Sequence, residues 1–417
     1  MRVPEAVSRR VRIELAVWVG VMRPVHAHPR NRAALARQRA AQQVKKEQRP
    51  ARLEGAMRQL AVIAGADADD AEELTEEKCG DQPPGAEEPD HRGDRAGVKK
   101  SDEGRDNQLL WLHLYHYERT MDGQSTLRIP GGLNVALSIL ASAASCALLW
   151  LVSHSDHLLY RLLGAIAFSF VNNTLFSLLH ESVHGVFARS DSVNDWFGRW
   201  LAAFFPTSFT LQRYFHLGHH RRNRSAAERF DYVAPGENAL LKKIEWYGIL
   251  TGFFWLCPPL SCLLFFIGVL HAENAPWSRQ TGFDGMVDGV DRLPGFPIRL
   301  EILFAALWQF ALFRALHLQW SAWLLCYAAF AVNWSSLQYA DHAWSPLDAA
   351  HGAWNLRVNP IVRWLFLNYH HHRAHHENPK VPWIHLPRLV DGAEPRPSFL
   401  RMYLSMWRGP RPLGDVR

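Results

Sequence analysis

The chain has 417 residues, a formal net charge of +6 and five cysteines, none of which form a CxxC pair. This composition argues against a disulfide-stapled secreted domain and against a cysteine metal site. The net charge averages two unlike segments, a charged one up to about residue 107 and an apolar one from about residue 129. We therefore expect no nucleic-acid partner, and we seek the function in the apolar segment.

Residues 1–120 form a charged, low-complexity extension. Stretches such as 66–73 and 83–89 contain too few apolar side chains to build a core, which predicts disorder. An apolar run up to Met22 imitates a signal peptide, but it is short and contains Glu14. Alternatively, translation begins at Met121. In either case the functional domain is expected at residues 121–417.

The apolar segment predicts an all-α membrane protein with about four transmembrane helices in two hairpins. Trp196–Leu211 is short and contains Pro206, which predicts an interfacial helix. Tyr247–Leu270 is long enough to cross, but the pair Pro258 and Pro259 predicts a re-entrant segment broken at mid-depth. The predicted spans are Asn134–Val152, Leu158–Leu179, Ile302–Leu316 and Trp320–Leu337.

Three histidine clusters accompany these predicted helices. Spacings of i, i+3 and i+4 stack imidazoles on one face of a helix, where they can grip a metal. Imidazole is a good ligand for iron, copper or zinc, and a single zinc takes about four ligands, so this many histidines predicts two metals. Of the three consecutive histidines in the last cluster, the HxxHH spacing favours His372. The clusters are His180 and His184; His216, His219 and His220; and His370, His371, His372, His375 and His376.

The number of crossings follows from where the clusters must meet. If the second and third clusters form one site, the chain crosses the membrane an even number of times between them. Three apolar stretches lie in that interval, so one of them should not span. Four spans then place all three clusters in a histidine-rich cap on one face, although five or six spans stay open. Basic residues near the clusters favour the cytoplasmic face; they are Arg221, Arg222, Arg224, Arg363 and Arg373.

The clusters resemble the three histidine boxes of the integral-membrane fatty acid desaturase family. The resemblance covers about residues 133–408 and includes the sequences around Phe230-Asp-Tyr, Asn368-Tyr-His and 378–388. It implies a non-haem di-iron centre that uses O₂, with a further ligand, His342, before the third box and Gln338 contacting metal through water. The implied ligands are His180, His184, His216, His219, His220, His342, His372, His375 and His376.

The chemistry agrees with this resemblance. Removing hydrogen from an unactivated CH₂ needs an oxidant stronger than any side chain, so a metal must activate O₂. The HxxxH form of the first box favours desaturation over hydroxylation. The expected substrate is a long acyl chain on a membrane lipid, acyl-CoA or acyl-carrier protein. The expected location is a bacterial inner membrane, with the active site on the cytoplasmic face.

Electrons must come from a separate protein. The chain contains neither a His-Pro-Gly-Gly haem motif nor a CxxC cluster site, so a ferredoxin, rubredoxin or cytochrome b5-type donor is expected. The basic run 221–224 is a candidate docking site for an acidic donor or for substrate phosphates, or it only anchors the protein at the membrane.

Two other functions remain open from the sequence. One is a di-iron hydroxylase or ketolase acting on a carotenoid or another lipid. The other is a histidine-rich metal transporter or sensor, which is disfavoured because transporter ligands usually lie near the membrane midplane, whereas these histidines cap the ends of helices.

Overall fold

The computed structural model describes residues 127–270, 286–287 and 289–415. The predicted disordered extension, 1–120, and the alternative start at Met121 lie outside these residues. Short 3₁₀ helices cover Phe253–Leu256, Val290–Arg292, Leu386–Arg388 and Leu413–Asp415. Strands β1 (Tyr232–Val233) and β2 (Arg411–Pro412) form a parallel pair. The α-helices are α1 (Gly131–His154), α2 (Leu158–Val183), α3 (Asp191–Phe204), α4 (Phe209–Arg222), α5 (Ala239–Thr251), α6 (Cys257–Phe266), α7 (Gly295–Ala315), α8 (Trp320–Ala340), α9 (Pro360–Leu365), α10 (His372–Glu377) and α11 (Phe399–Met406).

The predicted all-α fold class is confirmed, with the long helices arranged in two hairpins. Among the described helices, α1, α2 and α7 are long and apolar enough to cross a membrane. Helix α8 has the same 21-residue length as α7. Although it contains the predicted span Trp320–Leu337, it is not apolar enough to count among them, since it carries Asn333, three serines and Gln338. The bent pair formed by α5 and the following helical segment is the other candidate for a span.

The two hairpins turn at the same end of the bundle. The backbone N–H of Gln319, just before α8, donates to Ser153 Oγ near the end of α1 at 3.2 Å. Arg161 in the first turn of α2 donates to Ser321 in the first turn of α8 at 2.9 Å. Helices α2 and α8 therefore run parallel, and both end at the opposite end of the bundle. This arrangement delivers the first histidine pair and His342 to one place.

Helices α5 and α6 are bent against each other, as in a broken span or a re-entrant segment, but the bend is not at the prolines. The two arms meet at 90° around Gly252. Gly252 has φ 90°, and a Cβ there would lie 2.7 Å from the backbone nitrogen of Val332 in α8. The proline pair instead occupies the first turn of α6, where a missing N–H costs nothing. Phe266 at the end of α6 returns to the first turn of α7, where its carbonyl accepts from Arg299 at 3.2 Å.

Helices α3 and α4 carry the second histidine cluster to the bundle. The stretch Trp196–Leu211, expected to be one interfacial helix, is divided at Pro206 between the end of α3 and the start of α4. Ser208 caps α4 by accepting from the N–H of Leu211 at 3.2 Å. Glu301 of α7 binds this junction, because it accepts from Ser208 Oγ at 2.6 Å and from Thr210 N at 2.8 Å. The start of α4 is therefore held against α7, and the direction of α4 towards the end of α2 is set at that point.

Candidate metal centre

The end of α2 presents the first histidine pair. Gly185 adopts φ 72° directly after the helix, and the N–H of Val186 donates to the carbonyl of Glu181 at 2.9 Å. This is the hydrogen-bond pattern of a helix that ends on a glycine. His180 and His184 lie one turn apart just before it, with ring centroids 4.7 Å apart. Both imidazoles therefore face the same side of the helix end.

The structure brings together all nine histidines expected to bind metal, and it sorts them into two groups. Within each group, one nitrogen from each ring lies within 4.8 Å of the corresponding nitrogens of the others. Helix α4 and helix α10 each contribute to both groups, so the two HxxHH clusters are divided between them. The first group comprises His180, His184, His216, His220 and His375. The second group comprises His219, His342, His372 and His376.

The inward-facing nitrogens of each group converge on one point. In the first group, His216 Nε2 lies 2.8 Å from His184 Nε2 and 3.1 Å from His220 Nε2. In the second, His342 Nε2 lies 3.2 Å from His219 Nε2 and 3.0 Å from His372 Nε2. A neutral imidazole nitrogen offers one proton or one lone pair, so hydrogen bonds cannot satisfy such a cluster. A metal would, since bonds of about 2.1 Å separate opposite ligand atoms by up to about 4.2 Å.

Hydrogen bonds on the outer nitrogens turn two of these lone pairs inward. His342 Nδ1 lies 2.8 Å from the carbonyl of Gly352, to which it donates. His219 Nδ1 lies 2.6 Å from a carboxylate oxygen of Glu228. With the proton on Nδ1, each ring keeps a lone pair on Nε2, where a metal would bind. The donor set therefore fits a pair of histidine-ligated metals.

Burial favours the neutral, metal-binding form of His216 and His376. Burial lowers the pKa of His216 well below its usual value, and the nearby His219 lowers it further. Burial also lowers the pKa of His376 well below its usual value, followed by the effect of His220. Because these two rings stay uncharged near neutral pH, a metal ion can bind them without first displacing a proton.

A small cavity touches both groups. It has a volume of about 10 Å³, and His180, His372 and His375 contribute to its wall. This volume accommodates about one water molecule. The remaining wall consists of Ser177, Glu181, Leu367, Tyr369, Trp383 and Leu386.

Several residues near the clusters have contacts of their own. His370 and His371 belong to neither group, in line with the spacing that favours His372, and their ring centroids lie 4.0 Å apart with the planes tilted by 42°. Gln338, expected to reach metal through water, accepts from the hydroxyl of Tyr369 at 3.0 Å. Its Nε2 has no hydrogen-bond partner among the described residues. Glu181, considered as an acceptor for a histidine, instead accepts from the backbone N–H of Trp383 at 3.1 Å.

Sequence reasoning missed two carboxylates that lie beside histidines of the two groups. Glu228 contacts His219, and Asp341 lies 3.6 Å from His372 Nδ1. Asp341 directly precedes His342, and Glu228 follows the second cluster by eight residues. Neither spacing is a known metal-binding pattern. Only Asp341 could have been noticed from the sequence, because it is adjacent to a candidate ligand.

The basic run 221–224, a candidate docking site, has less free positive charge than its sequence suggests. Arg222 pairs with Glu228 at 3.1 Å. Arg224 is buried and forms two hydrogen bonds with Asp231, at 2.9 and 2.7 Å. Of the three arginines in this run, Arg221 alone is exposed. The other two are therefore structural, and an acidic partner would find little free positive charge here.

Comparison with known proteins identifies the family. A family model described as fatty acid desaturase matches residues 156–409, which is more than half of the chain and includes all nine histidines. No curated protein matches the chain. The matched region begins at the turn between α1 and α2 and ends after α11. The chain therefore belongs to the fatty acid desaturase family.

Proposed function

We propose that the protein is an O₂-dependent membrane desaturase that inserts a double bond into a long acyl chain. The observation that carries the proposal is the pair of histidine groups, whose ring nitrogens converge at the ends of two parallel helices. Two irons held there would supply the oxidant, made from O₂, that removes hydrogen from an unactivated carbon. The reaction consumes one acyl CH₂–CH₂ unit, O₂, two electrons and two protons, and it yields one alkene and two waters.

The residues around the groups support this chemistry. The nine imidazoles, as neutral ligands, would leave the charge of the metals uncompensated, which favours binding of reduced oxygen. The cavity beside His180, His372 and His375 touches both groups but holds only about one water molecule, so an acyl chain would have to widen it to bring the reacting carbons there. Trp383 and Leu386 on its wall would exclude water from the reacting carbons.

The partners of the reaction follow from the same site. We infer a membrane lipid, acyl-CoA or acyl-carrier protein as substrate, and a ferredoxin, rubredoxin or cytochrome b5-type protein as electron donor. The side chain of His219 is 25% exposed, so a donor bound over this side would lie close to the second group. We further propose a bacterial inner membrane, with the histidines on the cytoplasmic face. A transporter is disfavoured because both groups lie at helix ends rather than within the spans.

The test is expression of the full chain in a host that makes no unsaturated acyl chains, followed by mass spectrometry of the total lipids. An electron donor is supplied in the same cells. His219→Ala removes a ligand, and His154→Ala is the matched control, since His154 lies at the opposite end of the bundle.

A new double bond that persists in His154→Ala and disappears in His219→Ala is the expected result. Oxygenated lipids or carotenoids instead of an alkene would identify a hydroxylase or ketolase. If the purified protein holds two irons and accepts electrons but forms no product from acyl lipids, the desaturase proposal is wrong.

A further inference from the structure

Carboxylates contact the two histidine groups unequally. In the second group, His219 Nδ1 lies 2.6 Å from Glu228 Oε2, and Arg222 donates to the other oxygen of Glu228 at 3.1 Å. Glu228 is only 7% exposed, so it is fixed between these two partners. A carboxylate that accepts from the outer nitrogen of a ligand orients the ring and makes the inner nitrogen a stronger donor.

Asp341 is the second carboxylate of this group. It follows α8 directly and is completely buried. Its Oδ2 lies 3.6 Å from His372 Nδ1, and its Oδ1 lies 3.8 Å from His342 Nε2. Neither oxygen of Asp341 nor His372 Nδ1 has a hydrogen-bond partner among the described residues. A small rotation of the Asp341 side chain would bring Oδ2 and His372 Nδ1 into a hydrogen bond.

A buried carboxylate without partners is energetically unfavourable, so the position of Asp341 indicates that something absent from its contacts compensates its charge. Removing a charged carboxylate from water is strongly unfavourable unless a cation or hydrogen-bond donors compensate the charge. The groups that Asp341 faces are a histidine N–H and the point on which the second group converges. Both compensate a negative charge once a metal is bound there.

The first group has no such support. Among the described residues, no carboxylate forms a hydrogen bond or ion pair with any of its five histidines. The nearest candidate in sequence, Glu181, accepts from the N–H of Trp383. His184 Nδ1 is buried and has no hydrogen-bond partner among the described residues. The first group is therefore a set of five imidazoles, whereas the second is four imidazoles backed by two carboxylates.

We propose that Glu228 and Asp341 are positioning residues for the second metal, acting through His219 and His372, so that the two irons occupy chemically unequal sites. The inference rests on the proposed di-iron function. Carboxylate support of this kind typically contributes a factor of about 10 to 100 in metal affinity. The two carboxylates should therefore raise the affinity for the second iron and leave the affinity for the first iron unaffected.

The experiment uses the full chain purified with ⁵⁷Fe, and it measures the Mössbauer spectrum of the reduced protein and the iron retained against a chelator. His184→Ala and His376→Ala each remove a ligand from one group, and they assign one spectral doublet to each site. Asp341→Asn and Glu228→Gln are the test variants. Asp195→Asn is the control, because Asp195 pairs with Arg213 and contacts no histidine.

The expected result is two doublets in the unmodified protein. Asp341→Asn and Glu228→Gln should each shift the doublet that His376→Ala removes, and lower iron retention at that site about 10- to 100-fold. The other doublet and the Asp195→Asn spectrum should not change. If Asp341→Asn fails to fold, Glu228→Gln decides, since the amide fits the same space and keeps an oxygen acceptor.

An unchanged spectrum in Glu228→Gln, or an equal change in both doublets, would overturn the inference. If the unmodified protein forms the double bond in these cases, the proposed function survives. If the unmodified protein holds no pair of irons and forms no double bond, the proposed function itself fails. The two failures are therefore distinguishable in one series of samples.

Discussion

The buried ion pair between Arg224 and Asp231 should be one of the main supports of the histidine-bearing end of the bundle. The side chains of Arg224 and Asp231 are 1% and 0% exposed. Asp231 also accepts from the hydroxyl of Tyr339 at 2.8 Å and from the N–H of Trp344 at 2.6 Å. One carboxylate thus connects the end of α4, strand β1 and the end of α8, next to His342. We predict that Asp231→Asn destabilises the protein strongly.

The magnitude follows from the loss of the charge. Asparagine has nearly the same shape as aspartate, so the substitution leaves the Arg224 guanidinium buried without a counterion. Removing one partner of a buried ion pair typically costs about 3–5 kcal/mol. For a domain of this size, each kcal/mol lowers the Tm by about 2–4 °C, so the expected decrease is on the order of 10 °C.

The assay is thermal unfolding of the detergent-purified protein, monitored by tryptophan fluorescence. Asp195→Asn is the control, because that ion pair with Arg213 is 28% exposed on the Asp195 side and should cost about 1 kcal/mol or less. The double variant Arg224→Met/Asp231→Leu should recover part of the lost stability, since it leaves no buried charge. The reasoning would be refuted if Asp231→Asn were no worse than the control.

Three further predictions concern the architecture around the site. Glu301→Ala leaves Ser208 and Thr210 without their acceptor, which should lower the free energy of unfolding by about 1–3 kcal/mol for each. Glu301→Gln should lower the stability less, and equal Tm values for the two variants would contradict this. Gly252→Ala should lower the Tm more than Gly236→Ala, because both glycines have positive φ but the first alone meets a backbone atom, at 2.7 Å; membrane yield and Tm measure the difference. Removing metal with a chelator should lower the Tm, and adding iron back should restore it, because metal binds the folded state selectively; identical Tm values with and without metal would argue against a metal centre.

The helices, and the placement of His180 and His184 on one helix face, depend mainly on local sequence. Apolar stretches of sufficient length predicted α1, α2 and α7, and the i, i+4 spacing placed His180 and His184 on one face of α2. A break between α5 and α6 was also anticipated, but its cause was assigned to the proline pair. The bend is at Gly252, because a close approach to the backbone of α8 cannot be inferred from either segment alone.

The sequence by itself determined that this is a helical membrane protein with enough imidazole for two metals, because hydropathy and histidine spacing are properties of neighbouring residues. Only the tertiary structure decided how the histidines are shared. His219 and His220 are adjacent in sequence, yet they belong to different groups, because successive residues on α4 point about 100° apart. The tertiary structure also decided that Glu228 and Asp341 lie beside histidines and that Arg224 is buried. These positions arise from contacts with residues on other helices and loops, so no local sequence pattern predicts them.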